Sequence, residues 1–107
     1  MSDRRSLGAV GEILAGWFLA DHGLRVVATN IPVGKGEIDI LAHDGRQRVA
    51  VEVRTRRGGG DPIEAVDHEK RRQVRRLAAR LGAHRVDFVG IRVAADHFDV
   101  HWVPGGH

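Results

Sequence analysis

The stretch Gly36-Glu37-Ile38-Asp39-Ile40-Leu41, leading through Asp44-Gly45 to Val51-Glu52-Val53-Arg54, constrains this chain more than any other. Both halves alternate polar and apolar residues as strands do, and Asp44-Gly45 signals a tight turn between them. With an even number of residues in the turn, Glu37 lies opposite Glu52 and Asp39 opposite Ala50. Opposed residues share a face, so Glu37, Asp39, Glu52 and Arg54 project together. Ile38, Ile40, Val49, Val51 and Val53 then form a dry face behind them. A turn one residue longer sets Glu52 against Ile38 and mixes acid with core on both faces. Three carboxylates on one face repel one another unless something positive lies between them. The hairpin is therefore a candidate divalent-metal site.

A chain of 107 residues fits one domain, 1–107, with a modest core. No stretch is long and apolar enough to span a membrane, and Met1-Ser2-Asp3-Arg4-Arg5 lacks the apolar centre of a signal peptide. The expected location is the cytoplasm. The absence of cysteine excludes a disulfide framework and any thiolate metal site. The formal charge of +3 says little by itself, but the bases are clustered. One block runs from Lys70 through Arg71, Arg72 and Arg75 to Arg76, and another comprises Arg54, Arg56 and Arg57. Clusters of this kind suit phosphate backbones.

Residues 4–22 read as an amphipathic helix with Leu7, Val10, Leu14, Trp17 and Phe18 on its apolar stripe. Ser2 or Asp3 can cap its start, Gly23 ends it, and Trp17 is expected in the core. Gly8, Gly11 and Ala15 make a small-residue strip beside the stripe, bordered by Glu12, which on the helical wheel alone is a solvated acid. A first strand follows over Leu24–Asn30, with Asn30–Gly36 as the loop into the hairpin, which itself runs to about Thr55. After the mobile-looking Arg56-Arg57-Gly58-Gly59-Gly60, Asp61, Pro62 and Glu64 announce the start of a second helix ending at Gly82. Its apolar stripe holds Ile63, Val66, Val74, Leu77 and Leu81, and Lys70 falls in the middle of it. A lysine there either snorkels or pairs with buried acids, and the hairpin carboxylates are the candidate partners. The arginines on the outer face of this helix are solvated first and nucleic-acid contacts second. Two strands, Arg85–Val93 and about His97–Val103, finish an α-β-β-β-α-β-β order, and Arg85 with Asp87 reads as a strand-face ion pair.

Oxygen-only ligands favour Mg2+ or Mn2+ over zinc. Such an ion polarises a phosphoryl oxygen and acidifies a bound water, and neighbouring bases hold a polyanion that bare carboxylates would repel. These are the parts of a phosphodiesterase. The seven histidines show no metal-ligand spacing, and Gly58-Gly59-Gly60 lacks the Lys-Ser/Thr of a phosphate loop.

The spacing resembles the restriction-endonuclease-like (PD-(D/E)xK) nuclease superfamily: an acid on a first helix, an aspartate on one strand, Glu-x-Lys on the next and a base on a following helix. More closely, Gly8-Ala9-Val10-Gly11-Glu12, Asn30, Gly36-Glu37-Ile38-Asp39, Val51-Glu52-Val53-Arg54-Thr55-Arg56, Lys70 and Arg85-Val86-Asp87 resemble the YraN family. Those are small bacterial proteins, largely uncharacterised, predicted to be nucleases and similar to archaeal Holliday junction resolvases. The resemblance implies a restriction-endonuclease-like α/β fold, a mixed central sheet flanked by two helices. It implies a metal-dependent DNA endonuclease acting on branched or otherwise structured DNA, and a homodimer, because a branched substrate offers two equivalent strands. Asp39 and Glu52 would bind Mg2+ or Mn2+, with Glu12 completing the site, Glu37 in support and Lys70 beside it. Lys35, Arg56 and Arg57 would contact DNA.

One position departs from the family pattern: Arg54 stands where the motif has lysine. Arginine does not give up its proton in a protein, so a general-base role is lost there, though Lys70 or Lys35 can substitute. Two other readings follow from Arg54. In one, the chain keeps the nuclease fold but only binds nucleic acid or a partner. In the other, Arg54 and Lys70 close a purely structural network with the acids.

Overall fold

The computed structural model describes residues 4–106. The expected cap at Ser2 or Asp3 lies outside them. Helix α1 (Arg4–Asp21) leads into strands β1 (Arg25–Val33), β2 (Gly36–His43) and β3 (Arg48–Arg57). Helix α2 (His68–Arg80) follows, then β4 (Arg85–Val93) and β5 (Phe98–Val103). Among the described residues the five strands form one sheet in the order β1-β2-β3-β4-β5. All neighbours are antiparallel except β3 and β4, which run parallel because α2 carries the chain back between them. The expected α-β-β-β-α-β-β order and mixed, two-helix architecture are those of the structure.

A helix on each face gives two cores. Beneath α1, Ala15 and Leu19 meet Ile40, Val49, Val51, Val89 and Ile91. Beneath α2, Val74 and Ala78 meet Ile38, Ala50, Val86 and Phe88, with Ile63 and Val66 from the preceding turn.

Several boundaries move for identifiable reasons. The β1 strand continues past Asn30 to Val33, because an edge strand tolerates Pro32, and only Gly34-Lys35 turns the chain. Asp61 does cap a helical start, accepting the Ile63 N–H, but it caps a short 3-10 turn over Pro62–Ala65. Val66 is extended, and Asp67 caps α2 proper by accepting the Lys70 N–H at 2.8 Å. The sequence carries two N-cap signals and the chain uses both.

The hairpin register is displaced by two residues from the expected one. Ile40 pairs with Val51, Leu41 with Ala50 and His43 with Arg48, so Ala50 faces Leu41 and not Asp39. The loop is Asp44–Gln47: the Asp44 Oδ1 accepts the Arg46 and Gln47 N–H groups, each at 2.8 Å, and these donors hold its carboxyl below the ordinary value. An even displacement preserves which residues share a face.

The α1 face was misjudged by its largest residues. Trp17 is 67% exposed, not core, and Val10 and Ile13 are exposed with it. The helix buries its small strip instead, and a Cβ on Gly11 would lie 1.7 Å from the Thr55 Oγ1 of β3. Close approach at Gly11 brings α1 down on the sheet along Gly11, Ala15 and Leu19, turning Trp17 outward.

Candidate active site

The sheet opens where the hairpin acids lie. Described pairing of β2 with β3 ends at Ile40 and Val51, and the Asp39 Oδ2 accepts the Val53 N–H at 2.8 Å. A side chain thus takes the place of a ladder carbonyl, and the strands part around it. Alternation breaks at the same level. Ile40 packs under α1 while Ile38, two residues away, packs under α2, which the even face pattern did not allow. On β1, Thr29 pairs with Ile40 and Ile31 with Ile38, leaving Asn30 and Asp39 opposite one another between the pairs. Asn30 adopts φ 51°, and it is the only non-glycine residue with positive φ among those described.

Into this opening come the predicted residues. Glu52 is 6% exposed, close enough to Asp39 for their carboxyls to hydrogen-bond, and its pKa is pushed up to about 7. Burial is the main cause and the Asp39 charge the second, opposed by Lys70 and Arg54. Lys70 Nζ reaches to 3.8 Å from the Glu52 Oε2 from the α2 side, so the odd lysine on the apolar stripe does have an acid partner. Arg54 Nη2 lies 3.3 Å from the same oxygen. Its Nε is the buried side-chain polar atom among the described residues that no hydrogen bond satisfies.

Glu12 arrives from the α1 side, more than a lone solvated acid. It lines a groove of about 380 Å³ with Gly8, Asp39, Arg54, Arg56 and Arg57. Burial raises its pKa first, then the Asp39 charge, while the nearby Asn30 side chain works the other way. Glu37 is exposed and acts on Glu12 only as a further negative charge. Lys35 is exposed in the β1–β2 turn, away from the residues that line the groove.

Of two further neighbours, Gln73 carries no signal in the sequence, and Asn30 enters there only through the family resemblance, with no role attached. Gln73, one helical turn beyond Lys70, accepts from its Nζ at 3.4 Å. Asn30 is a residue type that tolerates the left-handed region, but nothing local marks it as facing Glu12.

The donor set is all oxygen, and Mg2+ is commonly held by one or two carboxylates with water completing the shell. Asp39 and Glu52 fit that pattern, and a cation between them would offset the repulsion that raises Glu52. Among the described residues, no three His, Cys, Asp or Glu converge closely enough to hold an ion by themselves.

On β4, paired with Val51 and so one residue from the level of Glu52, a second acid is fully satisfied by protein donors. Asp87 is 0% exposed and accepts from Arg85 Nε and Nη2, the Trp102 indole N–H and the Gly105 N–H, all at 2.9–3.0 Å. The expected Arg85–Asp87 pair is real and Trp102 belongs to it. Arg85 also reaches Asp44, and these carboxylates raise its pKa.

The model of the uncharacterised protein family UPF0102 matches residues 11–100. A UPF0102 protein of Nocardia farcinica is 48% identical over 80 residues, covering 73% of this chain and 63% of that protein. UPF0102 protein STH1475 of Symbiobacterium thermophilum is 43% identical over 102 residues, 86% of each chain. Among solved structures, Archaeoglobus fulgidus Hjc, a Holliday junction resolvase, superposes with a TM-score of 0.58 at 19% identity. The match covers 91% of this chain and 71% of Hjc, a likeness of fold. No described helix is long and apolar enough to cross a membrane.

Proposed function

We propose a function for a chain that belongs to the uncharacterised protein family UPF0102, the family of the YraN proteins: it is a metal-dependent DNA endonuclease that hydrolyses phosphodiester bonds in branched or otherwise structured DNA. The observation that carries this reading is the buried Asp39–Glu52 carboxylate pair at a parting of the sheet, with Lys70 and Arg54 against it. The Hjc-like fold supports it, since that fold serves a resolvase in the archaeal protein.

Asp39 and Glu52 would hold Mg2+ or Mn2+, with Glu12 facing the same groove. When bound, the ion supplies polarisation of a phosphoryl oxygen and a water acidic enough to attack phosphorus at neutral pH. The chain's own residues do the rest. Arg54, Arg56 and Arg57 line the groove and would hold DNA phosphates. Lys70, steadied by Gln73, balances charge beside Glu52. Arg54 contributes charge and orientation but no proton, because a guanidinium stays protonated.

The test is cleavage of end-labelled junction, flap and linear duplex DNA with Mg2+ or Mn2+. Metal-dependent cleavage of a branched substrate, abolished in Asp39→Asn and Glu52→Gln while DNA binding survives, is the expected result. A second reading is favoured by the ion pairs Arg54 and Lys70 already make with Glu52: a non-catalytic DNA-binding protein on the same fold. That reading predicts no cleavage, and metal-independent affinity that falls with salt and with loss of Arg56 and Arg57.

A further inference from the structure

We infer that Asn30 is a positioning residue of the candidate metal centre, holding Glu12 toward Asp39 through its side-chain amide and setting the strand parting through its left-handed backbone. The inference rests on the metal-site reading above.

Two observations lead to it. The first is conformational. Asn30 sits at φ 51° in the middle of a strand, where a non-glycine residue is uncommon and costs free energy unless its surroundings enforce it. A second irregularity lies just upstream, where pairing with β2 shifts between Val26 and Ala28. The pairs on either side of Asn30 face opposite cores: Ile40, opposite Thr29, lies under α1 and Ile38, opposite Ile31, lies under α2. The strand pair therefore changes face at Asn30 and Asp39 together. That change frees the Asp39 carboxylate from the sheet's normal alternation and lets it reach the Val53 N–H.

The second observation is chemical. Asn30 and Glu12 line one surface depression between α1 and β1, and the Asn30 side chain is close enough to favour the Glu12 carboxylate. Among the described residues, the groups that shift Glu12 are the acids Asp39 and Glu37, which disfavour its charge, and the Asn30 side chain, which favours it. An oriented acid beside a metal pair shapes the outer sphere of the ion, and outer-sphere partners of this kind typically matter about 10- to 100-fold in affinity. Left-handed tolerance alone would be met better by glycine. The presence of asparagine, with its side chain beside Glu12, is what a purely conformational role does not account for.

The substitution Asn30→Gly separates the two contributions, because glycine adopts φ 51° freely but brings no amide. Mn2+ binding is followed by the EPR signal of the free ion, and thermal unfolding is measured on the same metal-free proteins. The expected result is Mn2+ binding weakened about 10- to 100-fold, with a melting temperature equal to or above wild type. Asn30→Ala, which loses both amide and conformation, binds as weakly and melts lower. Mn2+ affinity in Asn30→Gly within about 2-fold of wild type, well inside that range, overturns the inference. So does a loss of binding matched by a fall in melting temperature, which marks a structural role. Wild-type protein that binds no Mn2+ removes the metal-site reading itself and the inference with it.

Discussion

Glu52 is held between burial, which disfavours its charge, and two cations that favour it. Its folded pKa of about 7 stands above the ordinary value of 4.5. Between those values the folded protein keeps a proton that the unfolded chain has released. Stability from protonated Glu52 is full below about pH 4.5 and is lost as pH rises through about 7, up to roughly 3 kcal/mol over the window. Asp39→Asn relieves part of this while retaining a carbonyl for the Val53 N–H. It is expected to stabilise the metal-free protein by about 1 kcal/mol at pH 8 and hardly at pH 5, read from urea unfolding at both. Asp39→Ala leaves that N–H without its acceptor and destabilises by about 1–3 kcal/mol. Equal losses in both variants would show that repulsion between the two acids is not what raises Glu52. Asp87, by contrast, has every donor it needs. Asp87→Ala leaves the buried Trp102 and Gly105 donors without their acceptor and Arg85 with Asp44 alone, and is expected to cost about 1–3 kcal/mol in the same assay.

At the scale of elements, the contact of α1 with β3 depends on one glycine. Gly11→Ala drives a Cβ into Thr55 and is expected to cost about 1–3 kcal/mol in thermal unfolding. Gly8→Ala, with nothing within 4 Å of the added carbon, is expected to be neutral or to stabilise by up to about 1 kcal/mol, as alanine does in a helix. The pair also explains what the sequence withheld about α1. That helix carries apolar side chains almost all round, so its wheel shows a large stripe and a small strip without saying which one meets the sheet. Close packing chose the strip. Lys70 was legible for the opposite reason: a cation on the apolar stripe of a polar helix has few places to go. The hairpin lay between these cases. Parity placed Glu52 and Arg54 together, but Asp44 builds a loop of Asp44–Gln47 and shifts the register by two. The face change at Asp39 was illegible, since it needs the backbone of Asn30 on another strand.

Across the whole molecule, the two cores meet a sheet whose β2–β3 pairing is continuous from Arg48 to Val51 and parts beyond, at Asp39. A saturated acid network on Asp87, paired with Val51, thus lies beside the electrostatically strained Asp39–Glu52 pair, whose Asp39 lines the groove with Arg54, Arg56 and Arg57. The metal-free protein is expected to lose stability from about pH 5 to pH 7 through Glu52, and a saturating divalent ion is expected to remove that loss by favouring the ionised pair. Melting curves across this range, with and without Mn2+, check it. The most direct measurement is calorimetric titration of Mn2+ into wild type and Asp39→Asn at pH 6 and pH 8. Wild type is expected to show one site, tighter at pH 8 as Glu52 ionises, and Asp39→Asn no binding. Absence of binding in wild type at pH 8, or binding that survives Asp39→Asn unchanged, would contradict the metal-site reading.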